Sequence, residues 1–465
     1  MSYTSIPDHI FRHYDIRGVV GSELTPDIFQ ALGLSYGKMI LESLGKSPKV
    51  VVGHDNRASS QELTSGLIKG LTDSGTDVFD LGTVPTPTLY WAEIDLSADG
   101  SIQVTGSHNP PEWNGAKMTV QGSSLYGDSI QKLKQNIIEH RTEAGKETGA
   151  VKEVAIIDRY IEDLTRRFDL NSNIKVVLDC GNGTGSLVGV EILQKIGAEV
   201  IPLYCDSDCT FPNHHPDPAV DEYLADLIDI VQKEKADLGI AFDGDADRIG
   251  VVDDKGNILR ADRLLLLLAL DVLHKQGPGQ KLIYDVKCSQ ILHDEFARAG
   301  GEPIMWKTGH SLIKEKMRDT GALIAGEFSG HIFFADNYWG FDDAPYTACR
   351  LLDLVAQSQN TISEMMADFP VYHSTSEFRF DVTEESKLII VHAAQEHFMR
   401  NHEVINLDGS RILFEDGWGL LRASNTQPAI VARYEAVTEA GLVNIREEVE
   451  SFLESQGVEI GNQDQ

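Results

Sequence analysis

Short apolar runs that end in polar turns recur three times along the chain. They read KVVVGHDNR (49–57), KVVLDCGNG (175–183) and KLIYDVKCS (281–289). Each run is short, rich in apolar residues and bounded by glycine or polar residues, so we predict a buried strand followed by the start of a helix. In the first copy, Ser59 and Glu62 also have the spacing of a helix capping box.

Each predicted helix is followed by a second strand and, further on, by a third. The segments from helix to second strand are LTDSGTDVFDLG (71–82), LQKIGAEVIPLY (193–204) and FARAGGEPIMWK (296–307). The third strands run into polar loops that contain glycine, in SIQVTGSHNP (101–110), LGIAFDGDADR (238–248) and ALIAGEFSGH (322–331). This repeat predicts three related α/β domains with mixed, largely parallel sheets, whose functional loops lie beyond the carboxyl ends of strands.

The remaining part of the chain has a different order of elements. Its segments are strand-like EFRFDV (377–382), helix-like KLIIVHAAQEHFMR (387–400), the turn EDGWG (415–419), strand-like AIVARYEAV (429–437) and helix-like GLVNIREEVESFLE (441–454). We therefore predict a smaller C-terminal α+β domain. The predicted domains are 1–150, 151–254, 255–366 and 367–465.

Length and charge narrow the classes of function. The chain has 465 residues, too many for one hydrophobic core, and a net charge of −32. A field of that sign repels nucleic acid and anionic membranes, so we expect neither as a partner. An anionic ligand would need a local basic pocket.

The N-terminal segment and the cysteines indicate the cellular compartment. The N-terminal residues contain no uninterrupted apolar stretch of the kind found in signal peptides, and the longest apolar run, 264–270, is too short to cross a bilayer. The five cysteines are sparse and lack Cys-x-x-Cys spacing, which argues against a disulfide framework or a zinc site. We expect a cytoplasmic protein with reduced thiols.

The loop DGDADR (243–248) carries the strongest chemical signal. Asp243, Asp245 and Asp247 alternate with small residues, an arrangement of oxygen ligands that suits Mg²⁺. One alternative is a solvated acidic turn without a function. A second is a phosphatase that uses an aspartate as nucleophile. An EF-hand is disfavoured because Arg248 replaces the glycine that its sixth position requires. Arg248 could balance charge on a transferring phosphoryl group.

The loop VTGSHNPP (104–111) presents Ser107 between a glycine and a stiff proline pair. The G-x-S-x-G elbow of hydrolases is absent, which disfavours acyl transfer. A phosphoryl group on Ser107 would instead need a cation, which the aspartate loop can supply, and positive or proton-transferring neighbours such as His108 and Lys117. An idle serine in a surface turn is an equally good interpretation of this loop alone.

Two further loops offer polar groups to a ligand. RASNTQP (422–428) brings a guanidinium, hydroxyls and an amide into one turn, a composition suited to phosphate, although ordinary Ser/Asn turns are common. In GEFSGH (326–331), Glu327 and Ser329 could bind vicinal hydroxyl groups and His331 could stand near a transfer site.

Together, VTGSHNP, DGDADR, GEFSGH and RASNTQP, in this order and each in its own domain, resemble the α-D-phosphohexomutase family, in its bacterial phosphomannomutase/phosphoglucomutase branch. The resemblance extends from FRHYDIRG (11–18) to the last strand. It implies that the four domains surround a central cleft. It also implies a mutase that interconverts hexose 1-phosphate and hexose 6-phosphate through a phosphoserine, one Mg²⁺ and a hexose 1,6-bisphosphate intermediate that also serves as activator.

The resemblance also implies roles for individual residues. Ser107 would carry the phosphoryl group and, with Asp243, Asp245 and Asp247, bind the metal. The other catalytic residues would be His108, Lys117, Arg248 and His331. Substrate would be bound by Tyr14, Arg17, Lys287, His310, Glu327, Ser329, Arg422, Ser424, Asn425 and Thr426.

Substrate identity stays open at this stage. Phe328 stands where the branch commonly has methionine and where glucosamine-phosphate enzymes have glutamine. The alternatives are therefore a phosphoglucosamine mutase and a sugar-phosphate-binding protein that kept the scaffold without turnover. We expect a phosphorylated hexose as partner and a monomer or small homo-oligomer.

Overall fold

The computed structural model describes residues 6–139, 148–424 and 427–461. The first unit is built from the elements β1 (Ile16–Val19), α1 (Pro26–Leu44), β2 (Lys49–His54), α2 (Ser60–Asp73), β3 (Asp77–Thr83), α3 (Thr86–Asp95), β4 (Gly100–Val104), β5 (Trp113–Val120), β6 (Ser123–Ser124), α4 (Asp128–Ile138) and β7 (Val151–Glu153). Its sheet has the order β1-β5-β4-β2-β3-β7, with β6 paired to β5.

The second and third units continue the alternation of helices and strands. The second contains α5 (Ile157–Thr165), β8 (Lys175–Asp179), α6 (Gly189–Lys195), β9 (Glu199–Leu203), α7 (Ala225–Glu234), β10 (Leu238–Phe242), β11 (Ile249–Val252) and β12 (Ile258–Leu259). The third contains α8 (Ala261–Gln276), β13 (Lys281–Asp285), α9 (Gln290–Arg298), β14 (Glu302–Trp306), α10 (His310–Thr320), β15 (Ile324–Gly326), β16 (Ile332–Phe334), α11 (Ala344–Gln357) and α12 (Ile362–Ala367).

The fourth unit is smaller and its sheet is antiparallel. It contains β17 (His373–Ser374), β18 (Phe378–Asp381), α13 (Ser386–Phe398), β19 (Glu403–Ile405), β20 (Ser410–Leu413), β21 (Gly417–Ala423), β22 (Ala429–Ala436) and α14 (Glu439–Ser455). The strand order is β17-β22-β21-β20-β19, with β18 also paired to β22. This unit agrees with the predicted C-terminal α+β domain.

The first three units share one strand arrangement, which confirms the predicted repeat. Their central strands run β3-β2-β4-β5, β9-β8-β10-β11 and β14-β13-β15-β16. In each set the first three strands are parallel and the fourth is antiparallel. The polar loops singled out in the sequence therefore occupy equivalent places, between the third parallel strand and its antiparallel neighbour.

Burial explains why the repeated strands are apolar throughout. Every residue of β4 and of β10 is buried, as expected for parallel strands covered by helices on both faces. One hydrophobic core joins the units, since it contains Leu89 of the first, Leu178 of the second and Leu265 of the third. The units therefore pack against one another, and their loops are held in fixed relation.

The predicted capping box at Ser59 is wrong. Helix α2 begins at Ser60, and the Ser59 side chain makes no hydrogen bond to the first turn. Its hydroxyl instead accepts a hydrogen bond from the Asn114 side chain of strand β5. A tertiary contact thus takes the place of the local one. Within the described ranges, no helix is both long enough and apolar enough to cross a bilayer.

Candidate active site

Ser107 lies in the loop after β4 with an uncommon backbone conformation. Its φ angle is +49°, in the left-handed region that residues other than glycine seldom occupy. The Thr105 hydroxyl accepts its N–H at 2.8 Å. The side chain is only 4 % exposed. A serine held in this way, at the end of a buried strand, is characteristic of a functional position.

The loop of Ser107 meets the acidic loop of the second unit at close range. A Cβ atom on Gly244 would lie 2.4 Å from the Ser107 carbonyl oxygen, so only glycine allows this approach. The Ser107 hydroxyl donates to Asp243 Oδ2 at 3.0 Å, and His108 Nδ1 lies 3.1 Å from the same hydroxyl. Two loops predicted separately from the sequence thus form one site.

The three aspartates of DGDADR follow strand β10 and are almost fully buried. Ligand oxygens from Asp243, Asp245 and Asp247 lie within 4.8 Å of one another. Burial, reinforced by repulsion from the other two carboxylates, raises the pKa of Asp243 well above its usual value. Asp245 Oδ1 is buried without a hydrogen-bond partner in the part of the chain that the structure describes. Three buried carboxylates this close together fit Mg²⁺.

Lys117, on strand β5 beside β4, supplies part of the missing positive charge. Its Nζ atom lies 2.7 Å from Asp245 Oδ2 and also contacts Asp247. Burial disfavours the charged amine, but the two carboxylates outweigh burial and raise the pKa of Lys117 well above its usual value. Lys117 is therefore a permanent cation at the edge of the aspartate cluster.

Arg248 ends the acidic loop and lies beside Asp243. Its Nε atom is 3.3 Å from Asp243 Oδ2, and its NH1 group donates to Asp217 Oδ1 at 3.2 Å. The NH2 group is buried without a partner in the described residues. Burial lowers the pKa of Arg248 to about 9. The guanidinium thus keeps one donor group for an anion next to Ser107.

His331 connects the aspartate cluster with the GEFSGH loop. Its Nε2 atom lies 3.3 Å from Asp247 Oδ1, and its Nδ1 atom lies 3.2 Å from Glu327 Oε2 and 3.0 Å from Ser329 Oγ. Burial disfavours the protonated ring, but the carboxylates of Asp247 and Glu327 outweigh it and raise the pKa of His331 to about 10. The ring is therefore an imidazolium at neutral pH.

Behind His331 the structure shows a pair that the sequence did not reveal. Asp342 is fully buried and accepts a hydrogen bond from Lys314 Nζ at 3.0 Å. Its other oxygen lies 3.5 Å from His310 Nδ1 and 3.9 Å from His331 Nε2. The two histidine rings stack with centroids 5.6 Å apart. Asp342 and Lys314 thus support the candidate histidines from outside the predicted loops.

Lys287 follows strand β13 and reaches into the fourth unit. Its Nζ atom lies 2.6 Å from Glu377 Oε1. Burial disfavours the charged carboxylate, but Lys287 outweighs burial and lowers the pKa of Glu377 to about 2. Glu377 was not among the predicted residues, and its ion pair holds the predicted residue Lys287 in place.

Arg422 and Tyr14 come from opposite ends of the chain and converge on the same short segment. Arg422 Nε lies 2.7 Å from Asp408 Oδ2, which also accepts the Thr308 N–H at 2.9 Å. The Tyr14 hydroxyl donates to the Thr308 carbonyl at 2.6 Å. Next to this segment, the Gly309 N–H donates to Glu327. The C-terminal loop, the first unit and the GEFSGH loop therefore meet at residues 308–309.

Of the other predicted binding residues, the structure describes Arg17 and Ser424. Arg17 donates to the Thr105 carbonyl at 3.2 Å, so it supports the Ser107 loop. Ser424 is buried, and its carbonyl accepts Lys387 Nζ at 2.7 Å. Asn425 and Thr426 lie outside the described residues.

The residues that sequence reasoning missed are mostly acidic or basic partners of the predicted ones. They are Asp55 and Arg57 beside Ser107, Asp217 beside Arg248, Lys314 and Asp342 beside the histidines, Glu377 beside Lys287, and Asp408 beside Arg422. Asp55 and Arg57 could have been found from the sequence, because they lie in the polar turn that follows the first repeated strand, KVVVGHDNR.

Comparisons with known proteins agree with this arrangement. Protein-family models for phosphoglucomutase/phosphomannomutase match α/β/α domain I over residues 8–144, domain II over 158–256, domain III over 260–372 and the C-terminal domain over 377–451.

Individual relatives cover nearly the whole chain. A phosphomannomutase/phosphoglucomutase of Pseudomonas aeruginosa is 46 % identical over 444 residues, 95 % of either chain. A phosphoglucomutase of Neisseria gonorrhoeae is 42 % identical over 97 % of this chain and 98 % of its own. The crystal structure of a phosphoglucomutase/phosphomannomutase family protein from Burkholderia thailandensis superposes with a TM-score of 0.91 at 40 % identity, covering 97 % of this chain and 98 % of that one.

Proposed function

This chain belongs to the α-D-phosphohexomutase family, in its bacterial phosphomannomutase/phosphoglucomutase branch, and we propose that it interconverts the 1-phosphate and 6-phosphate of glucose or mannose through a phosphoserine at Ser107. The observation that carries the proposal is the 3.0 Å contact between the Ser107 hydroxyl and Asp243 in a buried acidic cluster. A phosphoryl group on a hydroxyl in that position could share a cation with the aspartates.

Asp243, Asp245 and Asp247, together with an oxygen on Ser107, would hold Mg²⁺. The ion supplies Lewis-acid stabilisation of the negative charge on a transferring phosphoryl group. Arg248 contributes from the protein side, since its NH2 group, which has no partner among the residues that the structure describes, can donate to an equatorial phosphoryl oxygen. Lys117 keeps the aspartates in place and adds positive charge beside them.

The proton of the attacking sugar hydroxyl needs an acceptor near Ser107. With its raised pKa, the His331 ring is an imidazolium and first serves to neutralise charge. A charged ring has no free lone pair, so it does not act as the proton acceptor in this state. His108, at 3.1 Å from the Ser107 hydroxyl, is a group that can exchange a proton there.

The opposite side of the cleft would bind the phosphate that does not react. Arg422 and Ser424, with Asn425 and Thr426 of the same loop, would provide the donors, and Tyr14, Lys287 and His310 would line the cleft. Glu327 and Ser329 would bind sugar hydroxyls. In a chain of net charge −32, an anionic substrate would depend on the guanidinium of Arg422 and the ammonium group of Lys287.

One phosphate site can serve both halves of the reaction. Ser107 gives its phosphoryl group to the free hydroxyl of a hexose monophosphate, which yields a hexose 1,6-bisphosphate. This intermediate turns over in the cleft, the other phosphate returns to Ser107, and the isomeric monophosphate leaves. Free bisphosphate would act as activator by phosphorylating Ser107.

A turnover assay tests this function. The purified chain, supplied with Mg²⁺, glucose 1-phosphate and a trace of glucose 1,6-bisphosphate, should form glucose 6-phosphate, and mannose 1-phosphate should give mannose 6-phosphate. Chelation of Mg²⁺ with EDTA should stop the reaction and added Mg²⁺ should restore it. Release of inorganic phosphate as the main product would instead indicate a phosphatase, and binding without any product a sugar-phosphate-binding protein.

We further propose that the domains are 1–150, 151–254, 255–366 and 367–465, and that the enzyme works in the cytoplasm as a monomer or small homo-oligomer. The buried contacts between the first three units support action within one chain. Size-exclusion chromatography with light scattering would give the oligomeric state directly.

A further inference from the structure

Arg57, which follows strand β2, contacts the main chain of the Ser107 loop at four carbonyl groups. Its NH2 group donates to the carbonyls of Ser107 (2.8 Å) and Asn109 (2.6 Å), and its NH1 group to those of Pro110 (2.6 Å) and Trp113 (3.2 Å). A guanidinium carries five N–H donors in a rigid plane, so one side chain can fix several carbonyls at once. Arg57 is itself buried, with 3 % of its surface exposed.

Asp55 holds the other side of this guanidinium. Its Oδ2 atom accepts from Arg57 Nε at 3.1 Å, from the Gly106 N–H at 2.9 Å and from the Thr105 hydroxyl at 2.8 Å. A Cβ atom on Gly106 would lie 2.3 Å from Arg57 Nε, so the glycine before Ser107 makes room for the arginine. The start and the rest of the loop are thus bound to one ion pair.

The same segment also fixes the loop against the unit that carries the aspartates. The Asn56 side chain donates to the Asn182 carbonyl at 2.8 Å, and the Arg57 guanidinium lies 5.3 Å from the centre of the Phe211 ring. Asn182 and Phe211 belong to the second unit. The position of the Ser107 loop relative to Asp243 therefore depends on residues 55–57.

We propose that Arg57 is a positioning residue for phosphoryl transfer, which holds the Ser107 loop by its main-chain carbonyls so that the hydroxyl faces Asp243. The proposal rests on the function proposed above for Ser107. The left-handed backbone of Ser107 is costly for a serine and needs support from its surroundings, which these hydrogen bonds provide. The contacts of Arg57 are with the Ser107 loop, with Asp55 and with the Phe211 ring, so its loss should displace the nucleophile and leave the phosphate-binding loop intact.

The test compares Arg57→Ala and Arg57→Lys with the unchanged enzyme in steady-state kinetics with Mg²⁺, glucose 1-phosphate and glucose 1,6-bisphosphate. We expect kcat per folded enzyme to fall about 100-fold, because a misplacement of about 1 Å can cost that much, while KM changes less than about threefold. Lysine should not restore the rate, since a single ammonium cannot span the four carbonyls. Added guanidinium ion at non-denaturing concentration should restore part of the rate of Arg57→Ala and none of that of Arg57→Lys.

Arg350→Ala is the matched control. Arg350 is also buried, at 4 % exposed, and it pairs with Asp336 and Asp271. Its loss should lower the thermal unfolding midpoint with kcat per folded enzyme unchanged. If Arg57→Ala does not fold, Arg57→Lys carries the comparison.

Three results would overturn the proposal. They are a wild-type kcat per folded enzyme in the Arg57 variants, a rise in KM as large as the fall in kcat, and an equal loss of kcat in Arg350→Ala. Absence of turnover in the unchanged enzyme would contradict the proposed function instead, so the two failures can be told apart.

Discussion

The two sides of the proposed cleft are built in different ways. On the proposed catalytic side, around Ser107 and the three aspartates, the first and second units meet partly through their main chains. The Thr86 N–H donates to the Asp245 carbonyl at 2.9 Å, and Gly244 lies against the Ser107 carbonyl with no room for a Cβ atom. On the phosphate-binding side, around Arg422, the fourth unit reaches the third largely through long side chains.

Two arginines illustrate that second kind of contact. Arg411 donates to the carbonyls of Val286 (2.6 Å) and Cys288 (2.9 Å), and Arg433 donates to the carbonyl of Lys287. A rotation of the fourth unit would break these side-chain contacts without changing either main chain, whereas the packing of Gly244 on the Ser107 carbonyl leaves no room for sliding. The difference fits the proposed reaction, in which the nucleophile must be placed accurately while the other side must release and accept a reorienting bisphosphate.

The comparison predicts its largest effect at the nucleophile. Ser107→Ala should lower kcat by at least about 10⁴-fold, as loss of a covalent nucleophile does elsewhere, because no phosphoryl group can be carried. Glucose 1-phosphate should still bind, which calorimetry can measure. Ser129→Ala, an exposed serine of the same unit, is the control. Full mutase activity in Ser107→Ala would refute the phosphoserine assignment.

A smaller effect is expected for the cation beside the nucleophile. Arg248→Ala should lower kcat about 10²- to 10³-fold with little change in KM, because its NH2 group, which has no hydrogen-bond partner within the described ranges, can act on charge that develops in the transition state. Steady-state kinetics at saturating Mg²⁺ measure both constants. An increase in KM at unchanged kcat would indicate that Arg248 binds substrate and does not stabilise the transition state.

The binding side should respond in the opposite manner. Arg422→Ala should raise KM roughly 10- to 100-fold and lower kcat less, since a charged hydrogen bond contributes about 1.5–3 kcal/mol. Arg400→Ala, an exposed arginine of the same unit, should leave both constants unchanged. An unaltered affinity for glucose 1-phosphate in Arg422→Ala would contradict the assignment of this loop.

The smallest expected signal is a change of shape. If the contacts between the third and fourth units adjust during the reaction, rotation of the last domain should make the protein more compact when substrate binds. Solution scattering with and without glucose 1-phosphate can detect that change. Identical scattering profiles would count against the motion and would leave the two sides of the cleft equally rigid.

The sequence predicted those features that depend on local pattern. The three strands before Asp55, Asp179 and Asp285 are short, apolar and bounded by polar turns, so their repetition identified the α/β units. DGDADR is contiguous, so a metal-binding function can be predicted for it without a structure. The roles of isolated residues such as Lys287 and Tyr14 came from the family resemblance and not from the pattern around them.

Contacts between distant segments could not be predicted. Arg57 reaches carbonyls more than fifty positions away along the chain, and Asp408 joins Arg422 to Thr308 of another unit. Ser59 had a local capping pattern, yet its hydroxyl accepts a hydrogen bond from Asn114 of strand β5. In each case a single charged or polar residue found a partner that only the assembled fold brings near.

A crystal structure of the protein phosphorylated by glucose 1,6-bisphosphate and soaked with Mn²⁺ tests the central claim most directly, because anomalous scattering locates the metal. We predict a phosphoryl group on Ser107 and one manganese peak between that group and the carboxylates of Asp243, Asp245 and Asp247. A phosphoryl group on another residue, or a metal bound away from these four side chains, would contradict the account.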